Sequence, residues 1–228
     1  MLEIGKNTSF VVREEFIHAR SSLKAVFLSD LHFTKHSRAF ANDLVESLNR
    51  INPDLILFGG DYFDTKKGRD VFTYLISLIN KPIIGVVGNH DKFMRIDKKF
   101  IQKSYPNFEW LNEKRTLEIN GKKVLISSKE NEEFADIQIC LVHNPKEFKK
   151  AKKNFHCYLA GHLHGSQFVF WKKDHSLFPG KFFYKWNIDK GFINSAPVII
   201  NRGLGDSLPI RFNCPKEIVV LNFKEMTL

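Results

Sequence analysis

The stretch AGHLHG, residues 160–165, contains two histidines separated by one leucine and bounded by glycines. In an extended segment, side chains two positions apart point to the same side, so His162 and His164 can reach one small object. Gly161 and Gly165 allow the backbone to turn sharply beside that object. A histidine pair at a strand end is also compatible with a hydrogen-bonded surface. The rest of the chain must therefore decide between ligands and surface residues.

Four further apolar runs end in residues whose side chains bind metals, namely KAVFLSDLH, DLILFGGDYFD, PIIGVVGNHD and IQICLVHN. Taken alone, each polar residue has a structural explanation, such as a turn cap for Asp30. Their recurrence at the ends of successive runs indicates a common site. The polar residues concerned are Asp30, His32, Asp61, Asp64, Asn89, His90, Asp91 and His143.

Carboxylate, imidazole and amide groups mixed in this way predict a site for two divalent metal ions. Mn²⁺, Fe²⁺ and Zn²⁺ accept mixed nitrogen and oxygen ligands, whereas Ca²⁺ and Mg²⁺ prefer oxygen. One ion needs several ligands and two ions need about twice as many, which the candidate set can supply. We expect Mn²⁺ in the site, with Fe²⁺ or Zn²⁺ as alternatives.

The elements that must position these residues are strands and helices in alternation. The apolar runs predict buried strands, and the segments between the first three runs have helical spacing. Successive βαβ units predict a parallel sheet whose strand ends form a ligand crevice. The apolar helix positions are Phe40, Leu44, Leu48 and Ile51 in SRAFANDLVESLNRI, and Val71, Leu75 and Leu78 in RDVFTYLISLIN.

Later segments predict a second sheet. RTLEINGKKVLISS has the pattern of a hairpin turned at Asn120 and Gly121, a pair that suits a type I′ turn. APVIINRG and EIVVLNF have the composition of further strands of that sheet. The whole pattern predicts an α/β protein.

Length and composition predict one globular domain, residues 1–228, with 43% hydrophobic and 26% charged residues. The chain shows no basic segment followed by an apolar run, and we expect it to be neither exported nor membrane-spanning. Its three cysteines form no CxxC pair, which favours reduced, buried thiols in the cytoplasm. A net charge of +10 predicts an anionic partner: a nucleic acid, a phosphorylated small molecule or an acidic membrane.

The motifs SDLH, GDYFD, GNHD, VHNP and GHLHG occur in this order from Asp30 to His164. In this series the sequence resembles the calcineurin-like metallophosphoesterases. One motif alone would be weak support, but five in order are highly specific. The resemblance implies a four-layer α/β/β/α sandwich of two mixed sheets flanked by helices. It also implies metal-dependent hydrolysis of a phosphoric ester or pyrophosphate bond.

The same resemblance implies a role for each side chain. His90 is expected to stabilise the pentavalent phosphorus and protonate the leaving oxygen, with Asp91 orienting its imidazole or raising its basicity. Asp64 is expected to support the ligands rather than bind metal. The implied ligands are Asp30, His32 and His164 for one metal, Asn89, His143 and His162 for the other, and Asp61 as the bridge between them.

The tail carries a second resemblance. VIINRGLGDSLPIRFNCPKEIVVLNF resembles the closing segment of a bacterial subgroup that includes membrane-associated phosphoesterases and a UDP-2,3-diacylglucosamine pyrophosphohydrolase. This makes Arg202 a candidate substrate-phosphate contact, with an exposed turn arginine as the alternative. The chain departs from the subgroup in two ways: Ser166 stands where glycine is usual, and the hydrophobic leader of many members is missing.

Two segments, 92–110 and 168–187, mix aromatic residues with lysine. They are either core with solvated lysines or a basic aromatic lip that rests on an anionic membrane and admits a lipid-linked phosphate. Under the second interpretation, the outward-facing rings are Phe168, Phe170, Trp171, Phe182, Phe183 and Trp186, and the lipid-facing cations are Lys172, Lys173, Lys181 and Lys185.

We therefore expect a binuclear phosphoesterase that cleaves a phosphodiester or pyrophosphate bond, such as that of a nucleotide-linked lipid, at the inner face of the membrane. The alternatives are a nuclease or broad-specificity phosphodiesterase or phosphatase of the same fold, and a non-catalytic scaffold. A scaffold should have lost ligands, yet every ligand position is filled. A nuclease usually needs an extended basic groove or an accessory domain, for which 228 residues leave little room. No feature of the sequence indicates a protein partner.

Overall fold

The computed structural model describes residues 1–5, 9–130, 132–151 and 155–225. Its helices are α1 (Arg38–Ile51), α2 (Lys66–Ser77), α3 (Asn89–Phe93) and α4 (Lys98–Ser104), with 3-10 helices at Pro145–Lys150, His164–Ser166 and Gly180–Phe182. Its strands are β1 (Leu2–Ile4), β2 (Phe10–Ala19), β3 (Leu23–Leu28), β4 (Leu55–Phe58), β5 (Ile83–Gly85), β6 (Phe108–Trp110), β7 (Lys114–Ile119), β8 (Lys122–Ser127), β9 (Ile137–Leu141), β10 (Cys157–Ala160), β11 (Val169–Lys173), β12 (Ser176–Pro179), β13 (Lys190–Ile193), β14 (Ala196–Ile200), β15 (Ile210–Phe212) and β16 (Lys216–Glu225).

One six-stranded sheet contains the predicted βαβ units. Its strand order is β2-β16-β3-β4-β5-β6, and the strands from β3 to β6 run parallel. Helix α1 connects β3 to β4, and α2 connects β4 to β5. The apolar side chains of both helices pack against the outer face of this sheet. Phe40 and Leu44 of α1 and Phe72 of α2 belong to the same buried cluster as the side chains of that face. The predicted parallel sheet with external helices is therefore present.

The ends of α2 follow from local chemistry. The Thr65 hydroxyl accepts a hydrogen bond from the Gly68 backbone N–H, which satisfies a donor of the first turn. Leu78 was expected on the buried stripe but lies just beyond the helix and is exposed. Val71 and Leu75 are buried as expected, and Phe72 and Ile76 share the inner face with them. The stripe is thus rotated toward Phe72 and Ile76 relative to the expected one.

The second six-stranded sheet has the order β13-β14-β10-β9-β8-β7. Strands β8, β9, β10 and β14 run parallel, whereas the two outer pairs are antiparallel hairpins. The hairpin of β7 and β8 turns at Asn120 and Gly121, both with positive φ (53° and 72°), as the sequence predicts. Shorter pairs, β1 with β15 and β11 with β12, lie outside the two large sheets.

The expectation that EIVVLNF belongs to the second sheet is wrong. This segment forms most of β16, which lies inside the first sheet between β2 and β3. Most of β16 is buried on both faces, which explains its continuous apolar run. Its pairing with β2 joins residues about two hundred positions apart in the chain, for example Val219 with Arg13, so local sequence could not reveal it.

Apolar side chains from the two sheets form the central core. Phe27 and Leu57 of the first sheet belong to the same buried cluster as Ile126 and Leu159 of the second. A separate cluster covers the other face of the second sheet, where Phe148 of the 3-10 helix packs on the strands. The structure confirms an α/β fold of two mixed sheets with flanking helices. Among the residues described, no helix has the length and apolar character needed to cross a membrane.

Candidate metal centre

The candidate ligands lie where strands of both sheets end. Asp30 and His32 follow β3, Asp61 follows β4, and His143 follows β9. Backbone hydrogen bonds hold these loops together: the Asp30 N–H donates to the Gly60 carbonyl at 2.9 Å, and the His32 N–H donates to the Asp61 carbonyl at 3.1 Å. The sheet edge thus brings distant motifs into contact.

Several of these loops have an unusual backbone. Positive φ values occur at Asp30 (53°), His32 (46°), Asp61 (57°), His162 (73°) and His164 (51°). This left-handed region is uncommon for residues other than glycine, although Asp and His enter it more readily than most. Strain of this kind persists where surrounding contacts fix the backbone, and it gathers at functional sites.

Asp30, His32 and His164 form the first ligand cluster, with one donor atom from each within 4.8 Å of the others. The Nε2 atoms of His32 and His164 face each other at 3.2 Å, and His164 Nε2 lies 3.6 Å from Asp30 Oδ1. The opposite ring nitrogens are held from outside. His32 Nδ1 donates to Asp64 at 2.7 Å, and His164 Nδ1 donates to the Gly205 carbonyl at 3.2 Å. Both Nε2 lone pairs therefore point into the cluster.

The second cluster surrounds His143 Nε2. Three acceptor atoms lie close to this nitrogen: Asn89 Oδ1 at 2.9 Å, His162 Nδ1 at 3.1 Å and Asp61 Oδ2 at 3.3 Å. His143 Nδ1 donates to the Gly59 carbonyl at 2.7 Å. A carboxylate, an amide oxygen and two imidazoles converging on one point make a donor set that suits a borderline divalent cation.

Electrostatics support this fit. Burial alone would lower the pKa of His143, but its hydrogen bond with Asp61 and the charges of Asp30 and Asp61 raise it to about 9. Burial would raise the pKa of Asp61, but His143 lowers it to about 2. The proton on His143 therefore takes the place that a cation would occupy among the acceptors. Burial lowers the pKa of His164 to about 4, so that its imidazole is neutral and ready to bind metal.

Glycines next to the ligands permit close approach. A Cβ at Gly161 would overlap the side chains of Ser29 and Asp30, and a Cβ at Gly88 would overlap the carboxylate of Asp61. Gly161 of the GHLHG motif and Gly88 of the GNHD motif are therefore required by space.

His90 lies at the open side of the centre. Its side chain is 43% exposed, and its Nδ1 lies 3.1 Å from Asp64 Oδ1. The same Asp64 oxygen accepts from His32, so Asp64 holds both rings, in agreement with its expected supporting position. A cavity of about 440 Å³ lined by Asp64, Asn89, His90, Phe93 and Met94 opens here.

The predicted contact between Asp91 and the His90 imidazole is wrong. The buried Asp91 carboxylate instead accepts hydrogen bonds from the backbone N–H groups of Asp61, Tyr62 and Gly88, each at 2.8 Å. Burial raises the pKa of Asp91 to about 6 despite these bonds. Adjacent positions on α3 point in directions about 100° apart, so Asp91 faces inward while His90 faces the opening. Asp91 thus fixes the loop that carries Asp61.

Arg202, the candidate phosphate contact, is almost completely buried, and its guanidinium bonds to Glu217. The Glu217 carboxylate also accepts from the Arg202 backbone N–H and from Arg13. A contact between Arg202 and a substrate phosphate would require the guanidinium to leave this carboxylate.

Sequence reasoning missed a buried ionic group behind His164. Arg211 donates to Asp206 at 2.5 Å and to the Gly205 carbonyl at 2.7 Å, the carbonyl that also receives His164 Nδ1. Asp206 further pairs with the buried Lys216 at 3.1 Å. The signal available was the cluster of charges in GDSLPIRFNCPKE, beside an otherwise apolar strand.

This fold and this grouping of ligands define a metallophosphoesterase, a metal-dependent hydrolase of phosphoric esters with a dimetal site. Residues 23–166, more than half of the chain, match the family model of the calcineurin-like phosphoesterases. The chain belongs to that family, and the resemblance found in its motifs is confirmed.

Individual proteins give more distant similarities. The chain is 26% identical over 247 residues to the uncharacterized metallophosphoesterase YkuE of Bacillus subtilis, covering 96% of this chain and 85% of that protein. A stretch of 82 residues is 40% identical to the DNA double-strand break repair protein Mre11 of Nanoarchaeum equitans, covering 28% of this chain and 23% of that protein. A dimetal phosphatase from Danio rerio, 10% identical, superposes with a TM-score of 0.51 over 82% of this chain and 89% of its own, which shows a shared fold.

Proposed function

We propose that this chain, acting as a single domain, hydrolyses a phosphodiester or pyrophosphate bond at two divalent ions held by the seven predicted ligands. The position of Asp61 carries the proposal. Its Oδ1 accepts from the His90 N–H at 2.8 Å, which leaves Oδ2 between the clusters, 3.3 Å from His143 Nε2 and 4.0 Å from His32 Nε2. A pair of bound ions would supply a water of lowered pKa and would neutralise charge on the phosphoryl oxygens.

The chain's own residues supply proton transfer. Because His90 Nδ1 is directed at Asp64, the other ring nitrogen, Nε2, is available at the opening of the centre. We assign to Nε2 the proton that the leaving oxygen takes up. Asp64 fixes the orientation of this ring and of His32 together, so the proton donor and one metal ligand share a single support.

The aromatic lip supports a lipid-linked substrate. We define the lip as Phe170, Trp171, Phe182 and Phe183, whose exposed fractions are 61%, 47%, 68% and 78%. Exposed apolar groups concentrated in this way mark interaction surfaces. Phe183 and His162 line the same cavity, so the lip borders the candidate centre. The proposed partner of the lip is an anionic membrane surface at the inner face of the membrane.

The burial of individual side chains limits the proposed lip to fewer rings than the sequence suggests. Phe168 and Trp186 are only partly exposed, and Trp186 packs against the cluster on the second sheet. Lys172 pairs with Asp189 at 3.4 Å, and Lys181 and Lys185 line a cavity. The rings that can enter a headgroup layer are therefore the four of the lip.

A substrate panel tests the reaction. The protein, supplied in turn with Mn²⁺, Fe²⁺ and Zn²⁺, would be assayed on a nucleotide-linked lipid, a small soluble diester, a monoester and single-stranded DNA. We expect turnover of the diester and the lipid-linked substrate, fastest with Mn²⁺. No turnover of any substrate with any metal would refute the hydrolase proposal.

Liposome binding tests the lip. Phe182→Ser with Phe183→Ser should reduce binding to anionic vesicles and turnover of the lipid-linked substrate. Phe134→Ser is the matched control, because Phe134 is also exposed but contacts Arg20 and lines a separate cavity. Equal loss in both variants, or unchanged vesicle binding, would refute the lipid assignment.

A nuclease remains the second candidate function, favoured by the 82-residue similarity to Mre11 and by the net charge of +10. Faster cleavage of single-stranded DNA than of the lipid-linked substrate in the same panel would select it.

A further inference from the structure

A groove leads away from the metal centre on the side of His162. Two adjoining cavities of about 410 and 500 Å³ form it, and His162 lines the smaller one. The groove is therefore continuous with the second ligand cluster. The residues that line both cavities are Pro145, Lys146, Lys149, Lys185 and Trp186.

Four lysines edge this groove. Lys146, Lys149, Lys181 and Lys185 line it, and none forms a salt bridge with any residue of the described ranges. The Lys181 ammonium donates instead to the Lys185 backbone carbonyl at 2.5 Å. Other surface lysines do pair with carboxylates: Lys114, Lys123, Lys129, Lys172 and Lys190.

Several positive charges in one concave surface attract an anion more strongly than scattered charges do. Lys146 and His162 line the same cavity. An anionic group held here would therefore lie next to a phosphoryl group at the metal centre. An anion site beside the metal centre suits a substrate with more than one phosphate.

Aromatic rings stand beside the lysines. Trp186 packs edge-on against Phe148, with ring centroids 5.4 Å apart, and the Lys185 ammonium lies 5.3 Å from the Trp186 centroid. Tyr184 and Phe192 line the two cavities and are largely exposed. Ammonium groups alternating with exposed rings are the surface that binds phosphates and stacks bases.

We propose that this lysine groove binds a nucleotide-like part of the substrate, namely a further phosphate attached to a planar ring, beyond the phosphoryl group at the metal centre. The proposal rests on the proposed hydrolase function and adds the surface that would bind the nucleotide end of the substrate. The ammonium groups that edge both cavities favour the anionic end of a substrate, and Phe183 of the lip also lines the smaller cavity, so the lip and the groove adjoin. A substrate with a nucleotide at one end and a lipid at the other would use both surfaces.

Inhibition measurements test the groove. Hydrolysis of bis(p-nitrophenyl) phosphate by the Mn²⁺-loaded protein would be inhibited with ADP, AMP, inorganic pyrophosphate and inorganic phosphate. Inorganic phosphate can occupy the metal centre alone, whereas ADP can also reach the groove. The decisive quantity is the Ki for phosphate divided by the Ki for ADP. In the double variant Lys146→Gln, Lys185→Gln, we expect this ratio to fall about tenfold or more. Each lost hydrogen bond from an ammonium group should weaken the binding of ADP but not that of inorganic phosphate.

The matched control is Lys99→Gln with Lys103→Gln, two exposed lysines on α4 beside the other sheet. This control should keep the ratio of the unmodified protein. Tyr184→Ala should raise the Ki for ADP about fivefold or more, in line with the energy of base stacking, and raise that for pyrophosphate less. Metal content and thermal unfolding of every variant would exclude a general loss of structure.

An unchanged ratio of Ki values in the lysine variant would refute phosphate binding by the groove. Equal effects of Tyr184→Ala on the Ki for ADP and the Ki for pyrophosphate would refute stacking of a planar ring on Tyr184. Oligo-dT that binds at least tenfold more tightly than ADP, with the same lysine dependence, would overturn a single nucleotide in favour of a nucleic-acid strand. If the protein hydrolyses no diester, the hydrolase proposal fails separately. Fluorescence anisotropy of a labelled ADP with the same variants then tests nucleotide binding by the groove. Loss of binding in the lysine variant would support it, and unchanged binding would refute it.

Discussion

The substitution Asp64→Asn should weaken metal binding at one of the two proposed metal positions and leave the other unchanged. Asp64 Oδ1 lies 2.7 Å from His32 Nδ1 and 3.1 Å from His90 Nδ1, so one oxygen supports a ligand and the proposed proton donor. The substitution keeps the shape and removes the charge. We expect affinity for the metal at His32 to fall, because that imidazole loses the charged acceptor that orients it and increases its basicity.

The size of the effect follows from the contact. Losing such a supporting carboxylate lowers metal affinity about 10–100-fold, or about 1.4–2.7 kcal/mol. This matches the value of one hydrogen bond to a charged group, about 1.5–3 kcal/mol. The Asp64 side chain is only 21% exposed, so water replaces little of the lost interaction. His143 donates its Nδ1 hydrogen bond to the Gly59 carbonyl and not to Asp64. The affinity of the protein for the metal beside His143 should therefore change by no more than about twofold.

Chelator competition with Mn²⁺ on the metal-free protein would resolve two binding constants, and elemental analysis would give the stoichiometry. The expected result is one weakened and one unchanged constant. Asp70→Asn is the control, since Asp70 is an exposed acid on α2 that pairs with its neighbour Arg69. Equal weakening of both constants, or none, would refute the assignment of Asp64 to one cluster.

Further substitutions test the other roles. Asp61→Ala should leave less than one equivalent of metal by elemental analysis, whereas two retained equivalents would contradict a bridge. His90→Ala should keep both metals and lose about 10²–10⁴ in turnover, and full activity would exclude it as the proton donor. The folded pKa of His143, about 9, exceeds its unfolded value of 6.5, so its stabilisation of the metal-free protein is present below pH 6.5 and lost as pH rises through 9. The melting temperature of the metal-free protein should therefore fall as pH rises from 6.5 to 9, whereas the melting temperature of the His143→Gln variant should not. A fall in the variant but not in the unmodified protein would contradict the raised pKa of His143. Arg211→Met should lower the free energy of unfolding in urea by about 3–5 kcal/mol, because it leaves Asp206 short of a buried partner, and a change below about 1 kcal/mol would argue against this ion pair.

The positions of the candidate ligands were predictable because each one ends an apolar run. Parallel strands deliver their carboxyl ends to one edge of a sheet, which groups the candidates after β3, β4 and β5 of the first sheet and those after β9 and β10 of the second. The meeting of these two edges at one centre is seen in the structure. Leu28, Phe58 and Leu141 show the rule: each is the last or nearly last buried strand residue before a polar candidate. The structure brings these candidates together, and their roles stay predictions for the experiments above.

Contacts that depend on direction or on distant pairing were not predictable. Adjacency in sequence suggested that Asp91 touches His90, but the helical rotation between them sends Asp91 to the backbone of Asp61 and Tyr62. Arg202 has the charge of a phosphate contact, yet its partner Glu217 lies near the start of β16, a strand whose place in the sheet is set by pairing with the N-terminal segment. No local pattern contains that information.

Backbone conformation gives a reason for the amino-acid types at five of the seven candidate ligand positions. Asp30, His32, Asp61, His162 and His164 all adopt positive φ, where most side chains are disfavoured. Asp and His are among the few residues that enter this region more readily, and their carboxylates and imidazoles also bind divalent ions. Glycine would relieve the strain but supply no ligand, whereas glutamate would supply a ligand but resist the turn. The sharp turns at the strand ends and the chemistry of the centre therefore select the same two amino acids.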